Sequence, residues 1–166
     1  YAIIQTRDRK ESTRSFQCAN EKMLGLIVTG HGHFASGLTS SLELIAGDLQ
    51  NYRAVDFEAS DSVEDLEKKL NKAMDELKEC QGILVCSDLA GGSPFKTAVE
   101  CKFARPDQKI EVIAGSNLPM LIEVNMGRQF VEELEMLTNM AINTGKDQVM
   151  RYEFKPVEQE EPTEGI

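Results

Sequence analysis

Short apolar runs alternate with longer stretches in which apolar residues recur every three or four positions. The apolar runs predict four strands, at Leu24–Thr29, Tyr52–Phe57, Gly82–Asp88 and Lys109–Gly115. The helical spacing predicts five helices, which begin near Phe34, at Ser60 or Asp61, at Ser93 and Pro94, at Leu118 and at Phe130; the last two end at Met126 and Asn143. This alternation predicts an α/β fold, a three-layer sandwich in which helices cover both faces of a mostly parallel sheet.

The two ends of the chain differ from this pattern. Residues 1–22 lack a sustained period, and five Arg or Lys against three Asp or Glu give them a net charge of +2. We expect this segment to be a leader or upstream extension outside a domain spanning residues 23–155; a basic docking arm is the alternative. Gln148–Lys155 alternates between apolar and polar residues and predicts a late strand. Residues 156–166 are acidic and predict a flexible tail.

Charge and cysteine spacing restrict the class of protein. The chain has 166 residues and a net charge of −10, which argues against a nucleic acid partner because phosphates would repel it. Its four cysteines form no CxxC or other metal-type spacing, so we expect no disulfide framework and a reducing, cytoplasmic location. No apolar run approaches the length that would span a membrane.

Three loops carry the chain's unusual residues, and each follows a predicted strand. They read TGHGHFASG, SDLAGGSPF and AGSNLPM. The first holds His31 and His33, the only histidines of the chain. Because the carboxyl ends of parallel strands form the ligand-binding edge of such a sheet, these loops predict the functional site.

The first two loops together predict phosphoryl transfer through a phosphohistidine. His31 is the candidate nucleophile, and Asp88 can accept a hydrogen bond from one ring nitrogen, which leaves the other free to attack. Gly91 and Gly92 allow backbone N–H groups to approach an anion at a helix N-terminus. Ser93 can donate its hydroxyl to the same anion or cap the helix.

Other kinds of site fit the pattern less well. His31 and His33 could form a metal pair, but there is no third histidine, and carboxylates would have to complete the ligand set. The glycine spacing is not that of a dinucleotide site, and no Walker A pattern occurs. We therefore expect no metal or other cofactor, and a protein as the phosphoryl donor. His33 is expected to be a structural or rim residue.

At this point the residues identify a family. From Met23 to about Pro156, the chain resembles the IIA component of the mannose-type (mannose, fructose, sorbose) sugar phosphotransferase system. The matching segments are GLIVTGHGHFASGL, GILVCSDLAGGSPFKTA and EVIAGSNLPMLIEV, and DLAGGSPF and AGSNLPML are specific to it.

The resemblance implies a set of roles and partners. The phosphorylated histidine is His31, its paired aspartate is Asp88, and Ser93 lies near the phosphoryl group. The phosphocarrier protein HPr is the implied donor and a separate IIB component the implied acceptor, which links the chain indirectly to the membrane subunits IIC and IID. The resemblance also implies a homodimer in which an antiparallel C-terminal edge strand, Val149–Lys155, is exchanged.

Two positions depart from the family pattern. Gly30 occupies a place where the family can have Thr, which puts one hydrogen bond beside the site in doubt, and His33 occupies a place that can hold a bulky aromatic residue. Two alternatives remain open: the related phosphoryl-donor subunit of dihydroxyacetone kinase, and a non-catalytic module that uses the glycine loop to bind an anion.

Overall fold

A computed structural model describes residues 23–154 of the chain. Within that part the strands are β1 (Gly25–His31), β2 (Tyr52–Phe57), β3 (Ile83–Ser87) and β4 (Ile110–Ile113). The helices are α1 (Phe34–Ala46), α2 (Val63–Glu76), α3 (Ser93–Phe103), α4 (Leu118–Gly127) and α5 (Leu134–Asp147). The predicted leader, residues 1–22, and the predicted tail, residues 156–166, lie outside the described residues, so the domain boundaries stay a prediction.

All four strands run parallel, in the order β2-β1-β3-β4. Strand β1 lies between β2 and β3, and the chain therefore reverses its direction of winding at the β1–β3 pair. Such a switch point leaves a crevice beyond the carboxyl ends of the two strands, where α/β proteins bind ligands. The ends of β1 and β3 bring His31 and Asp88 to this crevice.

Alternate residues of the strands bury opposite faces of the sheet. Leu26 and Val28 belong to a core with α1, α4 and α5, whereas Ile27 and Val85 belong to a second core with α2 and α3. Helices thus cover both faces, which confirms the predicted three-layer α/β sandwich. Because helices cover both faces of the sheet, β1 has an almost continuous run of apolar residues instead of alternating with polar ones.

Capping fixes where the helices begin. Helix α2 is capped by Ser62, whose hydroxyl accepts from the Asp65 N–H at 3.1 Å while the Asp65 carboxylate accepts from the Ser62 N–H at 3.1 Å. The predicted cap at Ser60 or Asp61 was therefore wrong by one or two residues: Ser62 forms the capping box with Asp65, whereas the Asp61 carboxylate accepts from the Glu58 N–H and from Lys69. Asn117 caps α4 by accepting from the Met120 N–H.

Arg128 ties the amino ends of β1 and β2 together. Its guanidinium is almost fully buried and donates to the backbone oxygens of Leu24, Gln50 and Asn51 and to the side-chain oxygen of Asn125. Burial lowers the pKa of Arg128 to about 10, so the side chain is still a cation at neutral pH. This clamp holds the sheet at the end opposite His31.

The C-terminal part differs from the prediction. The last helix begins at Leu134 rather than at Phe130 and continues through Gly145 to Asp147. Gly145 is tolerated because it packs against Met120 of α4, where a Cβ would lie 2.5 Å from the Met120 methyl. Of the predicted late strand, Val149–Phe154 forms no strand in the single chain, and Lys155 lies outside the described residues.

Candidate active site

His31, the last residue of β1, makes two hydrogen bonds to one carboxylate oxygen. Its backbone N–H donates to Oδ2 of Asp88 at 2.8 Å, and its ring Nδ1 also lies 2.8 Å from Oδ2. The backbone bond fixes the carboxylate relative to the strand, so the ring meets a preplaced partner. The predicted pair is therefore in contact, at adjacent strand ends.

Asp88 is held as a carboxylate. Its other oxygen, Oδ1, accepts from the Leu89 N–H at 2.7 Å and from the Ser87 hydroxyl at 3.3 Å. Partial burial by itself would raise the pKa of Asp88, but the hydrogen bonds from His31 and Leu89 outweigh it, and the pKa is lowered from its ordinary value. An ionised carboxylate can only accept, so the proton of the imidazole resides on Nδ1 and the lone pair on Nε2.

The free edge of the His31 ring faces the glycine loop. A Cβ built on Gly92 would lie 2.8 Å from Cε1 of His31 and 3.6 Å from Nε2, so only glycine lets the loop approach the ring this closely. Gly91 has φ +77°, a left-handed conformation that favours glycine. Gly92 is the N-cap of α3 and Ser93 its first residue, so the positive end of this helix lies beside Nε2.

The third predicted loop supports the second. The hydroxyl and the N–H of Ser116 both donate to the Ser87 carbonyl, at 2.7 and 3.1 Å, and the Gly115 N–H donates to the Asp88 carbonyl at 3.0 Å. The loop after β4 thereby fixes the backbone that carries Asp88. This loop, which precedes α4, therefore supports the site by holding the backbone of Ser87 and Asp88.

Two aromatic residues at the site were missed by sequence reasoning. The ring centroids of His31 and Phe57 are 5.8 Å apart in an edge-to-face arrangement. Phe57 ends β2 and pairs with His31 in the strand register, so its position at a neighbouring strand end was the available signal. The second residue is Phe34, which lies over Gly30 on the other side of β1.

His33 lies apart from this arrangement. Its side chain is 77% exposed, and Nδ1 lies 3.5 Å from Oδ2 of Asp56 and 3.8 Å from Oε1 of Glu58. Both acids belong to the end of β2 and not to the Asp88 loop.

Among residues 23–154, no three His, Cys, Asp or Glu side chains are grouped so as to hold a metal ion. Within the same residues, no helix is long and apolar enough to cross a membrane.

Comparisons with known proteins agree on one family. The family model EIIA-man, described as the PTS system fructose IIA component, matches residues 25–154. The mannose-specific EIIAB component of Escherichia coli (strain K12) is 32% identical over 139 residues, 84% of this chain and 42% of that protein. The fructose-specific EIIA component of Bacillus subtilis (strain 168) is 32% identical over 118 residues, 71% of this chain and 80% of that protein.

Solved structures give the same result. The phosphotransferase system component EIIA from Streptococcus agalactiae superposes with a TM-score of 0.70 at 33% identity, over 78% of this chain and 97% of that one. The chain spans less than half the length of the first curated relatives that it matches, 42%.

Proposed function

Because the chain belongs to the EIIA-man family, as its resemblance to the mannose-type IIA components suggested, we propose that His31 accepts a phosphoryl group and passes it on in sugar uptake. The observation that carries the proposal is the 2.8 Å contact between Nδ1 of His31 and the Asp88 carboxylate. The named relatives are components of sugar phosphotransferase systems, which favours this function over a dihydroxyacetone kinase subunit or a non-catalytic anion-binding module.

The proposed step is an in-line displacement at phosphorus. The Nε2 lone pair of His31 forms the new N–P bond while the bond between phosphorus and the donor's leaving group breaks, and that leaving group keeps the electron pair. The proton on Nδ1 stays in place, and Asp88 stabilises the positive charge that the phosphorylated ring acquires. The same displacement in reverse, with an acceptor's nucleophile, returns His31 to its starting state.

The phosphoryl oxygens are assigned to the start of α3. The positive end of α3 and the glycine backbone suit three anionic oxygens, and the proposed role of Ser93, the first residue of α3, is to donate its hydroxyl to one of them. No metal or cofactor is required by this scheme, because the charge is compensated by backbone N–H groups and the Asp88–His31 pair.

The proposed donor is the phosphocarrier protein HPr and the proposed acceptor a IIB component, with IIC and IID as the membrane subunits downstream. Such a chain would act in the cytoplasm. Incubation with enzyme I, HPr and labelled phosphoenolpyruvate tests the donor step: the wild-type chain should take up one acid-labile label. A chain that takes up no label under these conditions would contradict the proposed function.

We also propose a homodimer held in part by exchange of the C-terminal segment. Strand β4 forms one edge of the sheet, and the side chains of Val149, Met150, Tyr152 and Phe154 are exposed. A groove of about 730 Å³ adjoins the start of β4, with Phe103 and Leu134 in its lining. A strand from a second copy, added antiparallel to β4, would cover both the open edge and these apolar side chains.

Truncation tests the exchange. Because α5 ends at Asp147, the cut is best placed after Gln148, its C-cap. The truncated chain should be monomeric or insoluble by light scattering, whereas Phe130→Ala, which removes an exposed aromatic side chain elsewhere, should leave the mass unchanged. A stable dimer of the truncated chain would show that the segment does not hold the interface.

A further inference from the structure

Gly30 is required by space and not by backbone conformation. It lies within β1 and is not among the glycines with positive φ. A Cβ built on it would lie 2.5 Å from Cδ1 and 2.8 Å from Cγ of Phe34, and 2.9 Å from Cγ of Asp88. Real Cβ atoms do not approach other atoms so closely, so even alanine would displace the Phe34 ring, the Asp88 carboxyl group or both.

The same distances show that Phe34 and Asp88 flank one small space above Gly30. The hydroxyl that the family pattern places at this position therefore has no room here, because the aromatic ring already fills it. Gly30 removes the hydrogen bond that a threonine hydroxyl could make here, and the Phe34 ring lies in the space that this hydroxyl would need. On its other sides, the Asp88 carboxylate is surrounded by the donors of His31, Leu89 and Ser87.

The Phe34 ring is partly buried and is anchored through helix α1. It is the first residue of α1 and packs against the core shared by α1, α4 and α5. The start of α1 is itself fastened to β2, since the Ser36 N–H donates to Oδ1 of Asp56 at 3.0 Å. Helix and core together fix where the ring can lie.

We propose that Phe34 is a positioning residue, whose ring, seated over Gly30, keeps the Asp88 carboxylate against Nδ1 of His31. This inference rests on the proposed function only for its kinetic consequence. The hydrogen bonds define where the two carboxylate oxygens point. The ring prevents the side chain from rotating into the space above Gly30, and it keeps water from competing there for Oδ2.

The test compares Phe34→Ala with Leu38→Ala. Leu38 lies one turn further along α1 and packs against the same core, and the three atoms nearest a Cβ on Gly30 belong to Phe34 and Asp88, so Leu38 is a matched control for lost packing. The tautomer of His31 is read from nitrogen chemical shifts of the unphosphorylated protein, and the rate of phosphoryl uptake from phosphorylated HPr is measured separately.

Phe34→Ala should shift His31 from the Nδ1–H tautomer towards the Nε2–H tautomer and slow uptake on the order of tenfold to a hundredfold. Leu38→Ala should lower the melting temperature and leave the tautomer unchanged. Gly30→Ala should perturb the tautomer as well, whereas Gly30→Ala combined with Phe34→Ala should recover part of the wild-type signal, because the new methyl group then refills the space.

An unchanged tautomer in folded Phe34→Ala, or an equal shift in Leu38→Ala, would overturn the proposal. If Phe34→Ala does not fold, Gly30→Ala decides alone: an unshifted tautomer there rejects the role of the filled space. Failure of the wild-type protein to accept label would contradict the proposed function instead, since the tautomer measurement needs no phosphoryl transfer.

Discussion

Replacing Asp88 by Asn tests the central hydrogen bond with the smallest change in shape. The carboxylate has His31 N–H and Nδ1 on Oδ2, and Leu89 N–H and the Ser87 hydroxyl near Oδ1. An amide has one acceptor oxygen and one donor NH₂ group. If the NH₂ group takes the place of Oδ2, it faces the backbone N–H and Nδ1 of His31. Nδ1 can accept from this donor only if the ring proton is on Nε2. The lone pair that attacks phosphorus is then lost.

The magnitude follows from this change of tautomer. Removing the anion that orients a catalytic histidine slows related chemistry by about 10² to 10⁴-fold, which corresponds to about 3 to 5 kcal/mol of activation free energy. We expect Asp88→Asn to slow phosphoryl uptake from phosphorylated HPr within that range, measured as single-turnover labelling. The fold should survive, because the amide has nearly the shape of the carboxylate and Asp88 lies beyond the end of β3, outside both cores.

Asp56→Asn is the matched control. Asp56 lies near the end of β2, which pairs with β1, and it is also close to a histidine. That histidine is the exposed His33. Substitution of Asp56 should change the uptake rate by no more than a few-fold, because the amide oxygen of Asn can still accept from the Ser36 N–H that fastens the start of α1. A wild-type rate in Asp88→Asn, or an equally large loss in Asp56→Asn, would refute the assignment of Asp88 as the partner of the nucleophile.

Three further outcomes follow from the structure. His31→Ala should take up no label and His33→Ala most of it, as judged by labelling with phosphoenolpyruvate; loss of label in His33→Ala alone would reverse the assignment. Arg128→Met should lower the free energy of unfolding in urea by at least about 3 kcal/mol, because it removes the hydrogen bonds that a buried guanidinium makes to Leu24, Gln50, Asn51 and Asn125; a loss below about 1 kcal/mol would contradict the clamp. Because the pKa of Asp88 is lowered on folding, its contribution to stability is present above the unfolded pKa and is lost as pH falls through the folded one. The stability difference between wild type and Asp88→Asn should therefore shrink in acid, and a constant difference in urea titrations from pH 7 to pH 3 would contradict this.

The sheet and the first members of the site were accessible from sequence because the patterns that define them are local. Strands β1 and β3 are apolar runs, and the residues that follow each run are the ones the sheet brings together. Phe34 and Phe57 were not recognised as site residues, since an aromatic residue at a helix start or strand end is as typical of a hydrophobic core as of a functional site. Their roles depend on which strand lies next to which, and strand order is not written in any one segment.

The C-terminal segment shows the other way in which sequence reasoning falls short. Alternation from Gln148 to Phe154 describes a strand, but a strand also needs a partner edge and a covered face. The helix before it continues past its predicted end at Asn143 to Asp147, so the segment begins later than its pattern suggests and has no strand partner within residues 23–154 of one chain. The alternation is a local property of the segment, whereas its pairing depends on an edge that another part of the fold supplies.

His31 and His33 share one turn but are directed to different carboxylates. His31 is still in β1, so the strand directs its ring between Asp88 and Gly92. Gly32, at φ +58°, then turns the chain, and His33 becomes the N-cap of α1, without a side-chain capping bond and with its ring near the acids at the end of β2. The 2.8 Å contact at His31 is a hydrogen bond, whereas the 3.5 Å approach of His33 to Asp56 is longer than one. The backbone conformation of a single glycine therefore separates His31, the proposed nucleophile, from His33, and the carboxylate that follows β3 reaches only His31.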